Sequence, residues 1–132
     1  MISFQEVIRY RIRRANETLN DAIFLAKEER WNSCINRLYY ASYYAVSALL
    51  LSENQNPSTH SGVKQLFSEL FIKTRIISED FGKMHSQLFS WRQKGDYDDL
   101  FDFDSEKVIP YLSPVQSFIK LVEEILKKNL EP

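Results

Sequence analysis

Glycine, proline, cysteine and histidine are all scarce in this chain of 132 residues, at three, four, one and two copies. So few glycines and prolines leave little material for the tight turns of a many-stranded fold. No stretch shows the apolar–polar alternation of a strand. The single cysteine, Cys34, excludes an internal disulfide framework and fits a reducing compartment. Its apolar neighbours make it a small core residue rather than a nucleophile. Acids and bases nearly cancel, to a net charge of −1, which excludes coating of nucleic acid by bulk charge. No zinc spacing and no phosphate-cradling glycine loop occurs, so neither metal nor cofactor is expected. The apolar run from Leu38 to Leu51 is interrupted by serines and tyrosines and is too short to span a bilayer. The first residues lack the continuous apolar segment of a signal peptide. A cytoplasmic protein without membrane contact is the expectation.

What the chain does have is aromatic residues in one unusual place. Tyr39-Tyr40 and Tyr43-Tyr44 stand as two adjacent pairs, spaced by small residues, just after Asn36 and Arg37. Beyond Arg37 no charge appears until Glu53. A surface helix would show a polar face at every turn, so this segment reads as a central helix covered on most sides, whose polar groups need partners inside the fold.

The rest of the chain supplies helices to cover it. Ser3 with Glu6 three residues on is a capping-box start, and Val7, Ile8, Ile12, Ala15, Leu19, Ala22, Ile23 and Ala26 follow at helical spacing to about Glu29. Helix two is expected from a cap at Asn32 or Ser33 to about Ser52. Helix three carries Val63, Leu66, Phe67, Leu70 and Phe71 and ends near Thr74. Helix four starts at Ser78-Glu79-Asp80 and is stopped by Gly95. Helix five carries Val108, Leu112, Val115, Ile119, Val122 and Leu126, with Pro110 and Pro114 leaving its start open. The fold class is therefore all-α: one up-and-down bundle of about five helices spanning residues 1–132 as a single domain.

Three strings carry a resemblance. Asn36-Arg37-Leu38-Tyr39-Tyr40-Ala41, Thr59-His60-Ser61-Gly62-Val63 and the stretch from Leu88 to Tyr97, in this order and spacing, resemble the HEPN domain family, in its small stand-alone prokaryotic branch. The resemblance spans nearly the whole chain. It implies a helical bundle, commonly a homodimer, often working with a minimal nucleotidyltransferase as a toxin–antitoxin pair. Active members are implied to be metal-independent ribonucleases, using an arginine followed four to six residues later by a histidine. Histidine would move protons at the ribose while arginine holds the phosphate. This chain departs from that pattern. His60 and His85 are its only histidines, and no arginine has one at that offset; after Arg92, the histidine's place falls to Asp96 or Tyr97. An exposed aspartate is ionised at neutral pH and makes a poor acid.

The reading is therefore a regulatory module that binds RNA or a nucleotide, with Arg92, Asp96 and Tyr97 as ligand-binding residues. A divergent ribonuclease built on Arg92, Asp96 or His60 is the alternative, and a purely structural dimerising subunit the second. Asn36, Arg37, Tyr39, Tyr40 and Gly62 are taken as structural signature. In the preferred structural reading of Asp96, it pairs with Arg37 in the core, so that Asp96→Ala should destabilise strongly. The tyrosines are core or dimer packing before they are stacking platforms. His60 is a capping or loop-anchoring residue, and His85 is partly exposed or packing, with no role. Arg9, Arg11, Arg13 and Arg14 form a solvated arc. The acids from Asp96 to Glu106 lack calcium-loop spacing and complement basic residues instead.

Overall fold

The computed structural model describes residues 1–130. Among them are five α-helices and no strand: α1 (Phe4–Lys27), α2 (Trp31–Ser52), α3 (His60–Phe67), α4 (Glu79–Tyr97) and α5 (Ser105–Leu130). The all-α expectation holds. Helix α2 is the axis of the molecule, packed against α1, α4, α5 and α3, and from Ala45 to Leu51 every residue is buried.

Local chemistry sets most boundaries. Ser3 Oγ accepts from the Glu6 backbone N–H at 3.2 Å, as the capping pattern predicts. Thr59 caps α3 through Gly62 N–H at 2.9 Å. A Cβ on Gly62 would lie 2.8 Å from Thr59 Oγ1, which is why this signature position is glycine. Asp104 accepts from the Lys107 N–H at 3.0 Å and fixes the start of α5. Pro110 and Pro114 lie inside that one continuous helix. The carbonyls they leave unpaired belong to exposed Glu106 and Pro110, where water can serve them.

Four expectations are corrected. Helix α2 begins at Trp31, without a side-chain cap, after a turn in which Glu29 takes φ 55°. Gly95 does not stop α4, which runs on to Tyr97; a Cβ there would meet Phe103 at 3.3 Å, so this glycine marks a close approach of the following loop. Helix three ends at Phe67 and gives way to a single π-turn, Ser68–Ile72, closed by Lys73 N–H donating to Ser68 O at 2.9 Å. Finally, Arg11 is not solvated: it turns inward to donate to Ser47 O and Asn56 Oδ1, both at 3.0 Å. Arg13 and Arg14 stay outside and pair with Glu17 at 3.8 and 3.3 Å.

Candidate functional site

The α2 signature and the end of α4 meet. Arg92 projects from α4 over the faces of Tyr39 and Tyr40, with its guanidinium carbon 5.6 Å from each ring centroid. Arg37 lies over the same Tyr40 ring at 5.1 Å. Two guanidinium groups thus share one aromatic residue, a placement the ring's negative face favours.

Neither arginine is neutralised from within the core. Arg37 donates through Nε and Nη2 to Oδ1 of its neighbour Asn36, at 3.1 and 2.7 Å. Asparagine orients the fork but carries no charge. Asp96, expected to pair with Arg37, instead lies 3.5 Å from Arg92 Nε, one helical turn along α4. At that separation the contact is coulombic, and the buried Nε makes no hydrogen bond. Asp96 is 39% exposed and Arg92 15%. The correction has a plain cause: an i,i+4 partner on the same helix is nearer than a residue across the bundle.

A cleft of about 470 Å³ opens here, lined by Asn36, Arg37, Arg92 and Asp96, with Trp91 and Asn32 at its side. Asn32, expected as a cap, works as a latch: its Oδ1 accepts from Phe103 N–H at 2.8 Å and its Nδ2 donates to Asp102 at 3.0 Å. That pins the α4–α5 loop beside the cleft. Tyr97 is 77% exposed and lines none of this cleft. Asp96→Ala should then cost at most about 1 kcal/mol in a urea titration, since the carboxylate itself is partly exposed, rather than collapse the fold.

His60 stands behind the same aromatics. Its Nδ1 lies 2.7 Å from the Tyr39 hydroxyl, and its ring is 4.6 Å from that of Tyr43. Burial lowers the imidazole's pKa, and the nearby Arg92 guanidinium lowers it further, so the ring is neutral at pH 7. Burial raises that of Tyr39, so the phenol keeps its proton. The hydroxyl has no other acceptor among the described residues, so it donates to Nδ1 and the imidazole proton sits on Nε2. His60 therefore anchors the start of α3 to α2, as expected, and presents an N–H rather than a lone pair. Thr59 takes the Gly62 and Val63 amides, so neither is free to hold an anion at this helix start.

Two other polar groups behave differently from expectation or confirm it. His85 is fully buried, with Nδ1 2.8 Å from Ser42 Oγ. No sequence signal announced that pair beyond the absence of charge around Ser42. Cys34 is buried, its thiol donating to Ala22 O at 3.3 Å, and burial pushes its pKa up to about 11, so it is no nucleophile at neutral pH. Among the described residues no His, Cys, Asp and Glu are grouped to hold a metal ion, and no helix is long and apolar enough to cross a membrane.

Comparison with known proteins agrees with the layout. The family model described as HEPN domain matches residues 8–128. A UPF0332 protein of Thermotoga maritima is 39% identical over 93% of this chain and 93% of its own length. Two proteins of Methanocaldococcus jannaschii, named "Putative toxin MJ0142" and "Putative toxin MJ0605", are each 30% identical, over 90% and 96% of this chain and 82% and 93% of their own lengths.

Proposed function

The chain belongs to the HEPN domain family, and from that membership we propose that it is the helical component of a toxin–antitoxin-like pair, a cytoplasmic regulatory module that grips the phosphate of RNA or of a nucleotide between Arg37 and Arg92. The names of the two archaeal relatives support the toxin side of this reading. One observation carries the binding side: two guanidinium groups flank Tyr40 in an open cleft and face only one partly exposed carboxylate. A phosphate completes that arrangement, because it supplies the second negative charge and accepts from both planar forks. Asp96 acts as a weak competitor for Arg92. Replacing it by alanine should therefore tighten RNA binding about two- to threefold, an effect of less than about 1 kcal/mol. A homodimer and a minimal nucleotidyltransferase partner belong to the same proposal.

Cleavage is the second reading, because Arg92 and His60 do flank the same tyrosine. The hydrogen bonding favours binding over cleavage. A general base must offer a lone pair, and the one on His60 Nδ1 is occupied by the Tyr39 hydroxyl. Incubation of end-labelled single-stranded RNA with the protein in EDTA separates the two. Retarded but intact RNA is the expected result. Fragments that disappear with both His60→Ala and Arg92→Ala would replace binding by cleavage.

A further inference from the structure

On the other side of α4 lies a larger groove, of about 880 Å³, that shares no residue with the Arg37–Arg92 cleft. Its walls are α3, the π-turn and the first three turns of α4. Lys64, Lys73 and Lys83 stand around it, against Glu69 and Glu79, and Glu69 is engaged by Gln65 at 3.2 Å. Phe89 and Ile72 supply apolar wall, with the Lys64 ammonium 4.9 Å from the Phe89 centroid.

Two observations make this more than a basic surface. The first is His85, whose ring stands in the wall of the groove with no accessible surface and whose Nε2 makes no hydrogen bond, so that a ligand oxygen reaches it only as the covering side chains move aside. The Ser42 hydroxyl, also buried, has no other partner among the described residues and so donates to Nδ1. The ring's own proton is therefore on Nε2, a buried donor without an acceptor. Such a group is costly to leave unpaired in a folded core. The second is the π-turn. Its i→i+5 closure at Ser68–Lys73 is rare, and such turns cluster at functional sites. Here it forms one wall of the groove, and Ile72 at its end packs 3.1 Å from where a Gly82 Cβ would be. Glycine at this position keeps α4 close to that wall.

We propose that this groove is a second binding site, for a small organic phosphate whose charged head is held by Lys64 and Lys83 over the His85 Nε2–H and whose apolar body lies against Phe89 and Ile72. Lysines supply point charges to the head, and the imidazole supplies a directed donor. The volume falls within the range of small-molecule sites.

Phenyl phosphate, which has such a head and body, is the probe. Its titration into protein labelled with ¹⁵N at histidine should shift the Nε2–H signal of His85. In a calorimetric titration, Lys64→Ala/Lys83→Ala should bind it about tenfold more weakly, and inorganic phosphate, lacking the apolar body, should also bind about tenfold more weakly than phenyl phosphate. In Arg92→Ala the His85 signal should still move, over the same range of phenyl phosphate concentration, which separates this groove from the RNA-binding cleft. A His85 signal that does not move at saturation, an unchanged affinity in the lysine double variant, or loss of the His85 shift in Arg92→Ala would each overturn the proposal. Lys83 is exposed and Lys64 half-buried, and a parent-like circular dichroism spectrum of the double variant checks that the fold survives their removal.

Discussion

Unfolding free energy, measured by urea titration, falls by about 2 to 3 kcal/mol between about pH 7.5 and pH 4.5 on account of His85 alone. The imidazole is completely buried, and burial, with Lys64 and His60 adding to it, lowers its pKa to about 3. In the unfolded chain a histidine titrates near 6.5. The unfolded state therefore takes up a proton, as the pH drops through about 6.5, that the folded state refuses until about pH 3. The stabilisation is fully present above the unfolded value and is lost at about 1.4 kcal/mol per pH unit between the two. His60, whose pKa is also lowered, adds to the loss in the same direction. His85→Gln keeps a polar partner for Ser42 and cannot titrate. It should be less stable than the parent at pH 7.5, since the ring stacks on Tyr39 and meets Phe67 edge-on, yet show a flatter pH dependence. Should that variant fail to fold, the ring carbon shifts of His85 followed by NMR in the parent give the same answer. A parallel pH dependence in parent and variant, or titration of His85 near 6.5 in the folded protein, contradicts this account.

The helices could be read from the sequence because their apolar residues recur at helical spacing. Ser3 caps as read, whereas Thr59 and Asp104 cap at helix starts the sequence had left open. The central place of α2 followed from the missing charges between Arg37 and Glu53. The π-turn was not legible. Leu66, Phe67, Leu70 and Phe71 continue a helical period, and the extra residue per turn is a choice made by packing around Phe71. Gly95 misled for a related reason. It reads as a stop, but its use is set by Phe103, a residue brought close only by the fold.

Some of the residues singled out in the sequence do meet in the fold, but their pairings were not legible. Arg37, Tyr39, Tyr40, Arg92, Asp96 and His60 do converge, whereas Tyr97 stays at the surface. The i,i+4 spacing of Arg92 and Asp96 already offered the pair that forms. The expected link to Arg37 required knowing how α2 and α4 face each other. The Tyr39–His60 and Ser42–His85 hydrogen bonds join residues 21 and 43 positions apart, and nothing local predicts either.

The second large effect concerns the arginines themselves. Arg37 and Arg92 are half-buried, held over Tyr40, and paired to less negative charge than they carry. Loss of one charge-assisted contact to a phosphate removes about 1.5 to 3 kcal/mol, roughly a tenfold to hundredfold change in affinity. Because each arginine neutralises phosphate charge, its loss should also lower the salt dependence of binding by about one unit of slope. Arg9 on α1 is exposed and remote from the cleft, so it serves as the control for bulk charge.

Fluorescence anisotropy of a labelled single-stranded RNA, titrated with the parent protein, Arg37→Ala, Arg92→Ala and Arg9→Ala at several salt concentrations, tests the central claim most directly. The account predicts at least about tenfold weaker binding and a shallower salt slope for each cleft arginine, with Arg9→Ala near the parent. Equal losses in all three variants, or none in Arg37→Ala and Arg92→Ala, would contradict it.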